Sequence, residues 1–241
     1  MTPLPFERYL NEVTARAALL ETLLAGAAPQ TPLPTCPGWT LTELSVHVRG
    51  NLATLGGAAA GNPAREVPPR LTDCAEDFAA ALRAAGPDAQ TESWGLKQPA
   101  RYWARRAAHD LTVHHADAAL ALGAPLEVAP DLAADGLDEL LEMFAGEDLP
   151  GLRGLAGRSL HLHATDAGNA EWLIDFTGPS PTGSGGFTWR HAHQKATTAV
   201  RAPMTALLLL AYRRYPADSE DIQILGETAV LDTWLDHIAL T

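Results

Sequence analysis

Arg101–Gly123, RYWARRAAHDLTVHHADAALALG, is the stretch that decides the fold. Pro99 stands near its start and Gly123 ends it, the placement of start and stop residues that helices favour. Ala, Leu and Arg dominate between them, and all three are good helix formers. Trp103, Ala107, Asp110, His114, Asp117 and Ala121 follow a 4-3-4-3-4 spacing, the seam of a packed helix. Asp110 and His114 fall on consecutive turns of that seam, ~40° apart around the axis. A carboxylate and an imidazole facing inward are costly unless they are paired or hold a metal. The pair calls for a third partner elsewhere in the chain.

Working outward toward the N-terminus, Phe6, Leu10, Val13, Leu20 and Leu24 repeat at helical spacing, and Gly26 closes the run. Pro32, Pro34 and Pro37 then impose an extended, rigid entry. Thr40 and Glu43 form an S/T-x-x-E capping box, so a second helix begins near Leu41. Its apolar face runs Leu44, Val48, Leu52, Leu55, with His47 and Asn51 on that face or at its edge. Gly56 to Pro69 reads as a loop, with a fraying helix end as the alternative at its start. A third helix covers Asp73 to Ala85, and a further loop leads to the central helix. A fifth helix spans Asp131 to Ala145.

The pattern changes after Ala145. GEDLPGLRGLAG, Gly146–Gly157, reads as a linker, and the domain boundary is placed near residue 150. SLHLHAT alternates with the period of a strand, Leu160 and Leu162 on one face, His161 and His163 on the other. DAGN is a turn, EWLIDFTG alternates again, and 178–186 is a Gly/Ser/Pro loop. Weaker strands are expected near Phe187–Arg190 and Thr197–Arg201. Pro203 opens a helix through ALLLLAYRR, Asp221 to Leu225 is a short strand, and Ala229 to Leu240 a closing helix. The expected fold class is α+β: a helical bundle over 1–150, then a smaller α+β domain over 151–241.

The chain has 241 residues, 46% hydrophobic and 19% charged, which is globular composition. A net charge of −12 argues against nucleic acid and anionic membranes as partners. The most apolar run, Met204–Tyr212, is too short to span a bilayer. The first residues have neither the basic nor the apolar region of a signal peptide. Two cysteines, Cys36 and Cys74, make no disulfide framework and suit a reducing, cytoplasmic setting.

His109-Asp110-x-x-x-His114 superficially resembles the H-E-x-x-H of zinc proteases. However, His109 and His114 stand five apart, ~140° around a helix, and cannot share one ion. Asp110 with His114 is the usable pair. Alone it reads as an exposed pair, or as a core histidine bonded to a carboxylate. His47 changes that balance, because antiparallel bundle helices bring such a position opposite His114. Two His and one carboxylate are a common ligand set for catalytic Zn²⁺, with the fourth position open. Asn51 and Asp117 are candidates to orient the imidazoles, with surface exposure as the plain alternative. His161 and His163, with His191 and His193 further on, hint at a second metal site. Their alternation instead puts His161 and His163 on the solvated face of a half-buried strand. Cys36 reads as an ordinary loop or core thiol. Arg213-Arg214 at the end of an apolar helix either complements the helix dipole or binds an anion.

PGWTLTELSVHV (Pro37–Val48), WARRAAHDLTVHHADAALALG (Trp103–Gly123) and LLLLAYRR (Leu207–Arg214) together resemble the mycothiol-dependent maleylpyruvate isomerase family. Its N-terminal domain is one of the DinB-like metal-binding four-helix bundles. The resemblance implies an up-down bundle followed by an α+β domain. It also implies that His47, Asp110 and His114 bind a divalent metal, with Asp110 standing where the isomerase has Glu. The family's functional arginine falls on Arg213, expected to act from the C-terminal domain as an anion clamp. The implied activity is that of a cytoplasmic enzyme using a low-molecular-weight thiol, mycothiol, activated by Zn²⁺. The thiolate would isomerise or S-conjugate a small electrophilic, carboxylated substrate. Two other readings stand beside it. One is a hydrolase using zinc-bound water at the same site. The other is a non-catalytic protein whose bundle is held by a structural metal.

Overall fold

The computed structural model describes residues 3–62, 66–168, 170–177 and 185–238. The chain divides into two compact units, Leu4–Leu126 and the chain from Glu127 onward. The division thus falls ahead of the fifth helix, not near residue 150 as the sequence suggested. The reason lies in the Gly-rich segment taken for a linker. Pro150–Leu155 forms a 3-10 turn with Leu152 and Leu155 buried. Leu149 N donates to Gly185 O (2.7 Å) and Gly157 N to Phe176 O (3.1 Å). Glycine and proline mark ordered turns as readily as linkers.

The first unit packs four helices, α1 (Phe6–Ala25), α2 (Leu41–Ala59), α3 (Leu71–Ala85) and α4 (Ala100–Leu122). α1 packs on α3 and α4, and α2 on α3 and α4. Their shared core includes Leu10, Val13, Leu44, Leu52, Phe78 and Leu111. α2 runs past Gly56 and Gly57, which the sequence placed in a loop. The glycine has a packing purpose, since a Cβ at Gly56 would lie 3.0 Å from the Phe78 Cα of α3. Glu21 of α1 caps the start of α3, accepting from Leu71 N (3.1 Å) and Thr72 Oγ1 (2.7 Å).

The segment before α4 is a hairpin rather than a loop. β1 (Gln90–Ser93) pairs antiparallel with β2 (Leu96–Pro99). Trp94 (φ 51°) and Gly95 (φ 75°) both adopt the left-handed conformation of a tight two-residue turn. Trp103 Nε1 of α4 donates to Thr91 O (3.0 Å), fixing the hairpin to the helix it feeds. At its far end α4 stops at Gly123, φ 61°, as the sequence predicts. From Ala107 to Ala119 every residue of α4 except Asp110 is buried, not only those along one seam.

The second unit is a five-stranded sheet of order β5-β4-β3-β6-β7 with helices α5 (Pro130–Phe144), α6 (Met204–Ala211) and α7 (Thr228–His237). Its strands are β3 (Ser159–Ala164), β4 (Glu171–Thr177), β5 (Gly186–Arg190), β6 (Thr198–Ala202) and β7 (Gln223–Gly226). β3 pairs parallel with β6, and every other pair is antiparallel. Alternation sends Leu160, Leu162, Trp172, Ile174 and Val200 into the core, where Trp234 of α7 is also fully buried. Trp172 Nε1 donates to Asp138 Oδ1 (2.6 Å), tying α5 to β4. Of the loop expected over 178–186, residues 178–184 lie outside the described residues, as do Asn169 of the expected turn and 239–240 of the closing helix. Among the described residues no helix is long and apolar enough to cross a membrane.

Candidate metal centre

The Pro-rich entry to α2 folds into a closed loop. Leu41 N donates to Thr31 O (3.0 Å) and Leu33 N to Trp39 O (2.9 Å), with a bridge between Pro32 and Thr40. The capping box expected from Thr40 and Glu43 is formed, with Thr40 N donating to Glu43 Oε2 (2.9 Å). α2 is thereby started at a fixed point, and His47 two turns later meets α4.

There His47, Asp110 and His114 come together, with one ligand atom of each within 4.8 Å of the others. The two imidazoles meet edge to face, 4.9 Å between centroids, and His114 Nε2 lies 3.9 Å from Asp110 Oδ1. The Trp39 indole stacks on His114 and meets His47 edge-on at 4.8 Å. Burial, then the neighbouring His114, lowers the pKa of His47, and both outweigh the opposing pull of Asp110. The ring is held neutral, the form that ligates.

The surrounding groups orient this trio. Asp117 is fully buried, with Oδ2 3.0 Å from His114 Nδ1. A proton on Nδ1 satisfies that contact and leaves the Nε2 lone pair for the cluster, as in carboxylate–histidine–metal triads. Thr35 Oγ1 (2.6 Å) and Cys36 Sγ (3.3 Å) also donate to Asp117. Asn51 Nδ2 lies 3.0 Å from His47 Nε2 and 3.4 Å from Asp110 Oδ2. Its amide thus bridges two of the three candidate ligands. Arg106 approaches Asp110 Oδ1 at 3.8 Å. Two imidazoles and a carboxylate whose ligand atoms converge within 4.8 Å form a donor set that could hold a divalent cation.

The other α4 histidines do not join the cluster. His109 packs edge-on against Tyr9, and His115 Nδ1 accepts from Arg16 (3.2 Å), itself paired with Glu12 (2.7 Å). Burial and the Arg16 guanidinium push the His115 pKa down to about 4. Sequence reasoning missed Thr35, Cys36 and Trp39 as neighbours of the site. Helical spacing says nothing about a loop that folds back onto α4. The only signal available was their place in the proline-framed stretch ahead of the capping box.

Arg213 belongs to the second unit and sits just past α6, not in it. Arg213 N donates to Leu210 O (2.9 Å) and Arg214 N to Leu209 O (2.7 Å), a Schellman closure with Arg213 at its left-handed position, φ 59°. Its guanidinium pairs with Asp236 of α7 (3.3 Å) and borders a cavity of about 470 Å³ with Arg214, Tyr215 and Asp232. Arg214 donates to Tyr212 O (2.8 Å), the helix-end role.

Residues 57–119 match the family described as Mycothiol maleylpyruvate isomerase N-terminal domain, and residues 131–233 match the MDMPI C-terminal domain. A crystal structure of the mycothiol-dependent maleylpyruvate isomerase is similar over 94% of this chain and 97% of its own, with TM-score 0.59 and 18% identity. A histidine-to-alanine mutant of that enzyme matches with TM-score 0.60 and 17% identity. No curated protein matches the sequence.

Proposed function

Because the chain belongs to the mycothiol maleylpyruvate isomerase family, carrying both of its domains, we propose that it is a metal-dependent enzyme that activates a low-molecular-weight thiol, mycothiol by family, for attack on a small electrophile. The observation that carries this reading is the convergence of His47, Asp110 and His114 within 4.8 Å. Three protein ligands are the number a catalytic zinc site uses, whereas structural sites close with four. A divalent cation there, Zn²⁺ by its donor set, supplies the charge that lowers a thiol pKa toward neutrality.

The residues around it do the rest. Asp117 holds His114 in one tautomer, and Trp39 walls one side of both imidazoles with an apolar surface. The thiolate adds to an electron-poor double bond of the substrate. The addition moves the π electrons onto the conjugated carbonyl as an enolate; bond rotation and expulsion of the thiolate give isomerisation, and protonation of the enolate by the proton the thiol released gives the S-conjugate. Arg213 is the group we assign to a substrate carboxylate, since its planar fork binds a carboxylate bidentately. Asp110 is shorter than the Glu of the isomerase pattern, so it would hold a cation nearer α4 or with a different denticity.

The test is metal analysis of the purified protein combined with thiol-dependent turnover of maleylpyruvate and related unsaturated acids. We expect about one divalent metal at this site and turnover only with thiol present. Arg213→Lys should keep metal and fold while losing much of the turnover. Equal turnover with and without thiol would overturn the reading.

A further inference from the structure

A second set of imidazoles lies in the other unit, on the sheet face opposite its apolar core. His161 and His163, two apart on β3, point to the same side. Glu171 on β4 is the register partner of His163 and shares that side. The chain after β5 then returns His193 to the same spot. His191 pins this segment, with Nδ1 3.0 Å from Glu171 O and Nε2 3.2 Å from Asp138 of α5.

All three imidazoles aim a nitrogen at one carboxylate. His161 Nε2 lies 2.8 Å and His193 Nδ1 2.6 Å from Glu171 Oε2, while His163 Nδ1 lies 3.1 Å from Oε1. The ring centroids are 5.7–6.3 Å apart. The sequence pattern put His161 in solvent, yet it is 7% exposed, while the His193 side chain is 81% exposed. The group therefore deepens from an open edge to a buried end.

An ion-pair network does not account for this arrangement. One carboxylate neutralises one imidazolium, and three protonated rings this close would repel one another. Imidazole nitrogens converging on a carboxylate are a donor set that a divalent transition metal takes, and one ligand atom each of His161, Glu171 and His193 lies within 4.8 Å of the others. We propose that His161, Glu171 and His193, with His163 beside Glu171, form a second metal site, independent of the α2–α4 centre and selective for imidazole-binding ions such as Zn²⁺. Oxygen-seeking Mg²⁺ and Ca²⁺ are poorly matched by imidazole nitrogens, and no thiolate is present to draw Cu⁺.

The experiment uses the full chain, stripped with chelator and reloaded by equilibrium dialysis against ZnCl₂ at micromolar free zinc. Two zinc ions per chain are expected in the wild type. His47→Ala should retain one, and His163→Gln with His193→Gln should also retain one. The latter two side chains are the more exposed of the cluster, so the fold should survive, which circular dichroism checks. Glu171→Gln gives a second variant with the shape preserved, and it too should drop to one. A wild type that holds one zinc, lost in His47→Ala and kept in the sheet variants, overturns this proposal and leaves the first centre standing. One zinc lost only in the sheet variants overturns the first centre and supports this one.

Discussion

Replacing Asp117 with Asn isolates what its charge does for His114. The wild-type carboxylate is fully buried and receives His114 Nδ1 and Cys36 Sγ on Oδ2 and Thr35 Oγ1 on Oδ1. An Asn can keep its oxygen toward His114 and turn its amide toward Thr35, whose hydroxyl accepts as well as donates. The shape survives and the negative charge goes. Removing a partner of this kind from a ligating histidine typically lowers metal affinity ~10–100-fold, or about 1.4–2.8 kcal/mol. The metal-free fold should not fall by a similar amount. Each hydrogen bond to a charged acceptor exceeds a neutral one by ~1 kcal/mol, but burying the charge carries a penalty of several kcal/mol that Asn avoids. Zinc affinity is read by competition with a chromophoric chelator, and stability by urea denaturation of chelator-treated protein. Asp117→Ala is the contrast: it strands the His114 Nδ1–H in a buried site and should cost ~1–3 kcal/mol of fold stability as well. Wild-type zinc affinity in Asp117→Asn would refute the orienting role. A loss of metal-free stability as large as the loss of affinity would show that Asp117 serves only the fold.

Further outcomes follow from other contacts. His47→Ala and His114→Ala should each lose the α2–α4 metal, and stripping that metal from the wild type should lower its stability, by ~2.7 kcal/mol relative to protein at 100 times Kd; unchanged metal content in either variant would dismiss the assignment. Hydrogen bonds from Thr72 and Arg70 outweigh burial and hold Glu21 below the ordinary carboxylate pKa of 4.5. A depressed folded pKa contributes stability above the unfolded value that is lost as pH falls through the folded one. Glu21→Gln should therefore flatten the stability profile below about pH 5 and cost ~1 kcal/mol at neutrality, read from urea midpoints across pH. Arg213→Gly should raise the melting temperature, because it relieves ~1 kcal/mol of left-handed strain and gives up an exposed ion pair worth ~0–1 kcal/mol. The same change should abolish any turnover that needs the guanidinium.

The helices of the first unit were legible because each carries its own punctuation. Thr40 with Glu43 and the Gly123 stop are local signals that the structure uses where the sequence displays them. The meeting of His47 with Asp110 and His114 was legible because helical spacing, applied to two helices, restricts which side chains face each other. What escaped is non-local. Trp94 adopts φ 51° in a turn where glycine is the usual residue, so the β1–β2 hairpin carried no clear mark. The domain boundary near residue 150 differs from the division at Leu126–Glu127 because residues 146–157 are ordered by bonds to Gly185 and Phe176, which no local pattern reveals. His161 alternates like a solvent-facing strand residue, and only the fold shows that His193, thirty-two positions on, comes back beside it.

The proline-framed loop ahead of α2 has a thermodynamic consequence for any ligand that enters the α2–α4 centre. Pro29, Pro32, Pro34 and Pro37 hold their own φ angles, and constrain the residues before them, in the unfolded chain as well as the folded one. Less configurational freedom is therefore surrendered when this loop closes over Asp117 through Thr35 and Cys36. The ordering occurs during folding, once, and is not repeated each time an ion or a thiol arrives. Affinity at the centre is in that sense set partly by four rings that touch no ligand, because they lower the entropy that binding would otherwise have to remove.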